Sequence, residues 1–161
     1  MSDKLIQADV ECITPLTNSI LQFILAPQEY IDYQAGQYLQ IISGKEAFCY
    51  SIANAPLGSH KYELHIRHTP DNPYNQPLLA DIKRKGSVTI RVPFGTCDLS
   101  HLDPAKPILF IAGGTGFAPI KAMIEQLLAE GQERAFELAW PRLGARICGR
   151  FRSVVRASGP R

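Results

Sequence analysis

The residues most suggestive of chemistry lie in the stretch Pro107-Ile-Leu-Phe-Ile-Ala-Gly-Gly-Thr-Gly-Phe-Ala-Pro119. Its apolar run, Ile108–Ala112, leads directly into Gly113-Gly114-Thr115-Gly116. Glycines let the backbone turn tightly and let a pyrophosphate approach without a Cβ in the way. A helix that starts there offers unpaired N–H groups and the positive end of its dipole. The pattern therefore predicts a nucleotide phosphate site. The spacing is not Gly-x-Gly-x-x-Gly, and an ordinary strand-to-helix turn is the alternative.

The residues after the glycines predict a helix and then a strand. Pro119 suits the first turn of a helix, and Gly131 stands where a helix would end. Ala135–Trp140 reads as a strand, so we expect a β-α-β unit with parallel strands and a right-handed crossover. Five apolar residues at helical spacing form one stripe, which we expect to be core: Ile120, Met123, Ile124, Leu127 and Leu128.

The first hundred residues have a different pattern, with six short β-rich runs separated by turns. Strands at this spacing indicate an antiparallel barrel. One helix, Pro77–Lys85, should interrupt them and end at Gly86. The predicted strands are Lys4–Ile13, Ile20–Leu25, Gln37–Ser43, Phe48–Ala53, Lys61–Arg67 and Ser87–Val92. In the fifth, Glu63, His65 and Arg67 share one face, and the apolar residues share the other.

The order along the chain is therefore a β-barrel over residues 1–102 and a partial α/β unit over 103–140. The proline-rich stretch Leu102–Pro107 marks the boundary between them. A third segment, 141–161, has a different composition again.

Composition excludes several classes of function. The chain has 161 residues, of which 45% are hydrophobic and 20% charged, as in ordinary globular proteins. A net charge of +2 is too small to predict nucleic acid or a membrane surface as a partner. We see no secretory signal, so the cytoplasm is the expected compartment. The cysteines are far apart in sequence and the histidines lack an acidic cluster, so no metal site is predicted.

The whole pattern resembles the ferredoxin–NADP⁺ reductase-like superfamily, in which a barrel holds a flavin and an α/β domain holds NAD(P)H. The resemblance begins with a barrel followed by a strand that ends in Gly-Gly-Thr-Gly-Phe-Ala-Pro. Three further stretches agree with family motifs: Ala35-Gly36-Gln37-Tyr38, Tyr50-Ser51-Ile52-Ala53 and Val92-Pro93-Phe94-Gly95. Leu64-His65-Ile66 looks most like the NAD(P)H–flavin reductase branch, which is similar to the reductase components of oxygenases and of deoxysugar synthesis.

The resemblance implies roles for residues of the barrel. Tyr50 would pack along the flavin, and Ser51 would hydrogen-bond near flavin N5 and orient the hydride acceptor. Ile52 belongs to the same motif. His65 and Arg67 share a strand face beside the flavin. The flavin, FAD or FMN, would be either a cofactor or a diffusing substrate.

The resemblance also implies roles for the glycine loop. Gly113, Gly114 and Gly116 would receive the pyrophosphate of NAD(P)H. Thr115 would lie at the end of the loop that faces the rings, so that Ser51 and Thr115 are the expected catalytic pair. The implied activity is hydride transfer from NAD(P)H to flavin N5. The alternatives are a flavin-binding module or truncated fragment with little turnover, and a reductase that passes electrons to a partner protein.

Two departures from the family pattern remove phosphate contacts. The arginine of the family's Arg-x-Tyr-Ser motif falls on Phe48. The family's glycine-containing phosphate turn falls near Asp71–Pro77, which has no glycine. A charge-assisted contact to phosphate is worth about 1.5–3 kcal/mol, so losing one predicts weak flavin binding.

The end of the chain is the second anomaly. Seven of the ten arginines lie between Arg134 and Arg161, and no acidic residue follows Glu137. The family continues with further β-α units, whereas Trp140 is followed here by Pro141. We expect 141–161 to be an atypical basic tail that does not continue the α/β domain. A frame-shifted or truncated end, a native basic tail and a nucleic-acid-binding arm are the alternatives.

Overall fold

In a computed structural model of the chain, six antiparallel strands surround the main hydrophobic core. The structure describes residues 4–70, 73–131, 134–139 and 150–151, and only the backbone of the last pair. The strands are β1 (Ile6–Thr17), β2 (Ile20–Pro27), β3 (Tyr38–Ser43), β4 (Glu46–Ser51), β5 (Tyr62–Arg67) and β6 (Ser87–Phe94). Their order across the sheet is β4-β3-β6-β1-β2-β5.

The predicted fold class, an antiparallel barrel, is confirmed, with one difference where the two edge strands meet. The two edge strands, β4 and β5, approach each other at an antiparallel bridge between Ile52 and Leu64. Strand β4 ends at Ser51, one residue before that bridge, so the described part of the sheet curls round without a continuous closing ladder.

The predicted helix of the barrel is also present. Helix α1 (Gln76–Lys85) ends at Gly86, which adopts the left-handed conformation that favours glycine. Its two buried residues, Leu78 and Ile82, belong to the same hydrophobic cluster as the barrel strands. The helix therefore covers part of the barrel core.

The Ala35–Tyr38 motif ties several segments together. Gly36 has φ +109°, and a Cβ built on it would lie 2.0 Å from the carbonyl oxygen of Cys97, so only glycine fits there. The Gln37 side-chain amide donates to the carbonyl of Gly95 at 2.8 Å, and the backbone carbonyl of Gln37 accepts from the N–H of Ile52 at 3.0 Å. The motif thus connects the start of β3 to the turn after β6 and to the end of β4.

The second unit is the expected β-α-β arrangement. It contains β7 (Ile108–Ile111), a 3₁₀ turn at Gly114–Gly116, α2 (Phe117–Ala129) and β8 (Phe136–Ala139). Strands β7 and β8 are parallel. A two-residue strand, β9 (Arg150–Phe151), pairs antiparallel with β8. The rest of the predicted basic tail and Trp140 lie outside the described residues. Within the described part, neither helix is long and apolar enough to cross a bilayer.

The apolar stripe of α2 is core with one exception. Ile120, Met123 and Leu127 are buried, whereas Leu128 is 51% exposed, so its assignment to the core was wrong. Ala118 and Ala122 are buried as well. The buried surface of the helix therefore extends beyond the predicted stripe to these small residues, and it ends before Leu128, next to the last residue of the helix.

Strand β7 is covered on one side only. Ile108 and Phe110 pack against α2, whereas Leu109 is 62% and Ile111 71% exposed. A continuous apolar run of this kind is typical of a strand buried on both faces, as in parallel sheets covered by helices on each side. In the described residues only the α2 side is covered.

This difference between neighbours gives a test of the fold. Phe110→Ala should lower the free energy of unfolding by about 3–5 kcal/mol, because it opens a cavity against α2. Leu109→Ala should change it by less than about 0.5 kcal/mol, because that side chain is exposed. Urea unfolding followed by far-ultraviolet circular dichroism measures both. Equal losses would show that the outer side of β7 is covered in solution.

Candidate functional site

Helix α2 lies lengthwise along the outer side of β5. At one end, a Cβ built on Gly114 would lie 2.8 Å from Nη2 of Arg67. Further along, Nζ of Lys121 lies 3.0 Å from Oε2 of Glu63. The helix and the strand therefore run in opposite directions, with the glycine loop beside the carboxyl end of β5.

The glycine loop is built as an open donor site. The N–H of Gly116 donates to the carbonyl of Gly113 at 2.9 Å, which tightens the turn. Among the described residues, no backbone acceptor takes the N–H groups of Gly114 and Thr115. A Cβ placed on Gly113 or Gly116 would meet nothing within 4 Å. Unpaired N–H groups at the start of a helix, between glycines that leave room for a ligand, suit a phosphate group.

Arg67 adds a positive charge to this loop. Its side chain is half-buried, and in the described part of the chain the guanidinium has no hydrogen-bond or ion-pair partner. An unpaired guanidinium next to free backbone donors is a second feature that suits an anion. The predicted residues Arg67, Gly113, Gly114, Thr115 and Gly116 are thus brought together.

The residues of the predicted flavin motif lie on different sides of β4. Tyr50 pairs with the buried Leu39, and its ring packs against the barrel core. Ser51 pairs with Tyr38 on the other face, is half-buried, and has no side-chain hydrogen bond within the described residues. Ile52 is completely buried and its N–H is taken by the Gln37 carbonyl, so this residue presents no surface to a ligand. A flat ligand that contacts both Tyr50 and Ser51 must therefore lie across the end of the strand.

Asn75 connects β4 to β5, and the sequence did not identify it as a site residue. The Tyr50 hydroxyl donates to Oδ1 of Asn75 at 2.7 Å, and Nδ2 of Asn75 donates to the Arg67 carbonyl at 3.0 Å. Burial raises the pKa of Tyr50, so its hydroxyl stays protonated as a donor. The available signal was an asparagine directly before Gln76-Pro77, a position typical of helix starts.

The outer face of β5 carries a buried polar cluster. Glu63 and His65 are each 7% exposed, and Oε1 of Glu63 lies 2.9 Å both from Nε2 of His65 and from Nε2 of Gln22. Burial alone would raise the pKa of Glu63, but hydrogen bonds from His65, Gln22 and Lys121 outweigh it and lower the pKa to about 2. The flavin role of His65 stays a prediction, and the structure gives its ring a protein partner.

In the part of the chain that the structure describes, no group of three or more His, Cys, Asp or Glu residues is arranged to hold a metal ion.

Comparison with known proteins places this geometry in a family. The chain is 37% identical over 122 residues to a CDP-6-deoxy-L-threo-D-glycero-4-hexulose-3-dehydrase reductase of Yersinia pestis, covering 76% of the chain and 36% of that protein. It is 31% identical over 141 residues to an NAD(P)H-flavin reductase of Vibrio harveyi, covering 84% of the chain and 59% of the relative. The chain belongs to the ferredoxin–NADP⁺ reductase-like superfamily.

Solved structures agree on the fold of this ferredoxin–NADP⁺ reductase-like chain. The ferredoxin reductase in carbazole 1,9a-dioxygenase, in its FAD apo form, superposes with a TM-score of 0.75 at 21% identity, covering 89% of the chain and 44% of that structure. No protein-family model matches the chain. The chain spans about a third to three fifths of the length of the two curated relatives given above.

The buried Glu63 carboxylate gives a prediction about acid stability. Because its pKa falls from 4.5 to about 2 on folding, its ionised form stabilises the fold above pH 4.5, and this contribution is lost as the pH falls toward 2. Glu63→Gln should therefore show a smaller loss of unfolding free energy over that interval than the parent chain. Urea titrations at several pH values measure this. Glu11→Gln, which removes an exposed ion pair with Lys61, is the control and should keep the parent's slope. An unchanged slope in Glu63→Gln would contradict the assignment.

Proposed function

We propose that this chain is the flavin-binding part, with the beginning of the nicotinamide-binding part, of an NAD(P)H-dependent flavin reductase. The barrel over residues 1–102 would bind the flavin, and the unit over 103–140 would begin the nucleotide site. The observation that carries the proposal is the glycine loop, with free N–H groups and the Arg67 guanidinium, at the end of β5, which is bonded through Asn75 to Tyr50 of β4. The relative from Vibrio harveyi, named an NAD(P)H-flavin reductase, supports it.

The residues of the chain would divide the work of binding and orientation. When bound, the two cofactors supply the chemistry, in which a hydride passes from nicotinamide C4 to flavin N5. The half-buried Ser51 hydroxyl would donate a hydrogen bond to the flavin ring at the end of β4. The glycine loop and Arg67 would hold the dinucleotide phosphates, and Thr115 would lie on the ring side of the loop. The cytoplasm, where NAD(P)H is regenerated, is the compartment that fits this reaction.

We infer that the flavin is held weakly. Phe48, which stands where the family has its phosphate-binding arginine, is 1% exposed, and its ring lies edge-on to Tyr74 with centroids 5.0 Å apart. A buried phenyl ring cannot make a charge-assisted contact to a phosphate, so that part of the binding energy is lost at this position. Residues 71 and 72 of the second departure lie outside the described residues.

A reductase that passes electrons to a protein is the second candidate. A relative from Comamonas sp, 36% identical over 123 residues that make up 76% of the chain and 36% of the relative, is named reductase component 2 of terephthalate 1,2-dioxygenase. The choice of acceptor separates the two functions. Steady NADH oxidation with free flavin alone supports the flavin reductase, whereas oxidation only on addition of a redox protein supports the second candidate.

The Ser51 hydroxyl provides a direct test. Ser51→Ala should slow flavin reduction about ten-fold and change the flavin Kd by less than about two-fold, because it removes an orienting hydrogen bond and little contact area. Stopped-flow reduction and fluorescence titration measure the two quantities. Cys49→Ala is the matched control, since Cys49 lies exposed on the same face of β4. Equal rates of flavin reduction in Ser51→Ala and the parent would contradict the role assigned to the Ser51 hydroxyl.

The glycine loop provides a second test. Gly113→Ala should leave the ligand-free protein as stable as the parent, because the new Cβ meets nothing within 4 Å and φ is −130°. It should weaken NADH binding about ten-fold, since the methyl group occupies the approach of the phosphate. Gly114→Val is less informative, because Gly114 has φ +53° and is strained by any side chain. Unchanged affinity in a folded Gly113→Ala protein would make the loop an ordinary turn.

Weak flavin binding is tested by dialysis. The purified chain should lose most of its flavin on dialysis. FAD and FMN should rebind with Kd values within about ten-fold of each other, because Phe48 replaces the arginine that binds phosphate in the family. Retention of one FAD per chain after exhaustive dialysis would show that phosphate contacts exist elsewhere.

A further inference from the structure

A half-buried ammonium group joins α2 to the barrel. Nζ of Lys121 lies 2.6 Å from Oε1 of Glu125, 3.0 Å from Oε2 of Glu63 and 3.2 Å from the carbonyl oxygen of Ala53. An ammonium has three donors, so these three acceptors satisfy it completely. Two of the three acceptors belong to the barrel and one to the helix, and the side chain is only 27% exposed.

The segment that Lys121 contacts is the direct continuation of Ser51. The N–H of Ala53 donates to the Glu63 carbonyl at 2.7 Å, and the N–H of Ala55 donates to Oε2 of Glu125 at 2.9 Å. The Lys121–Glu125 pair thus binds both a carbonyl and an N–H of residues 53–55. The same helix begins at the glycine loop, one turn before Lys121.

We propose that Lys121 is a positioning residue, which fixes the glycine loop relative to the strand end that carries Ser51. Its bonds act through Ala53 and Glu63, and none of them is made to the glycine loop. This inference rests on the proposed function, because the expected consequence of the positioning is that the flavin and nicotinamide rings are aligned with each other. Burial works against the charge of Lys121, but its bonds to Glu125 and Glu63 prevail and raise its pKa, so the ammonium persists across the working range.

The test compares Lys121→Met and Lys121→Arg in the whole chain, with Lys61→Met as control. Lys61 forms an exposed ion pair with Glu11, and both residues belong to the barrel unit. Lys61→Met therefore removes the same charge as Lys121→Met but changes no contact with α2. Hydrogen exchange of the ligand-free protein is the first readout. Lys121→Met should speed exchange about ten-fold or more in residues 52–55 and 113–118, leave the rest of the barrel unchanged, and be reversed in part by Lys121→Arg.

Kinetics is the second readout. Lys121→Met should lower the rate of flavin reduction about 10–100-fold, because a displacement of about 1 Å has that effect, while the Kd values of flavin and NADH stay within about three-fold. Unchanged exchange in both segments, exchange raised equally throughout the barrel, or local exchange with an unchanged rate would each overturn the proposal. A parent chain without turnover would refute the proposed function alone, and hydrogen exchange would still decide the role of Lys121.

A third variant keeps the test decisive if Lys121→Met does not fold. Lys121→Met alone leaves the buried Glu63 charge without its cation, which is costly. The double variant Glu63→Gln/Lys121→Met removes both charges and keeps an amide for Gln22 and His65. It should show the same local exchange and the same loss of rate, and parent-like values for both would overturn the proposal.

Discussion

The arrangement depends on one constraint, which is that α2 must pack on the barrel. Two parallel strands and one helix expose too much apolar surface to be stable by themselves. In this chain the helix buries one side against β7 and β8 and reaches β5 of the barrel through the Lys121–Glu63 ion pair. The position of the glycine loop follows from that contact, because the loop is the start of the same helix.

Strand β5 is the element that all parts of the site share. Its inward residues belong to the barrel core, and its outward residues Glu63 and His65 are buried in the polar cluster with Lys121. Its last residue, Arg67, lies at the glycine loop and is bonded through Asn75 to Tyr50. A barrel strand therefore brings the candidate flavin and phosphate sites together without a separate connecting segment.

Local patterns in the sequence were enough to predict the elements but not their contacts. Alternation and turn residues predicted the strands, and the glycines with the apolar stripe predicted the β-α-β unit, because these features act over a few residues. The burial of Glu63 and the exposure of Leu128 depend on where α2 packs. The spacing of apolar residues along the sequence carries no information about that position. Asn75 and Lys121 are ordinary polar residues in the sequence, and only the fold shows that each bridges separate strands or units.

The most direct measurement is a single turnover of the 161-residue chain without oxygen. Free FMN is mixed with the chain and a small excess of NADH, and the visible absorbance of the oxidised flavin is followed in time. The account predicts bleaching that is much faster than without protein and that saturates with both FMN and NADH. Bleaching at the rate seen without protein, with the barrel folded and FMN bound, would contradict the claim that this chain brings the two cofactors together.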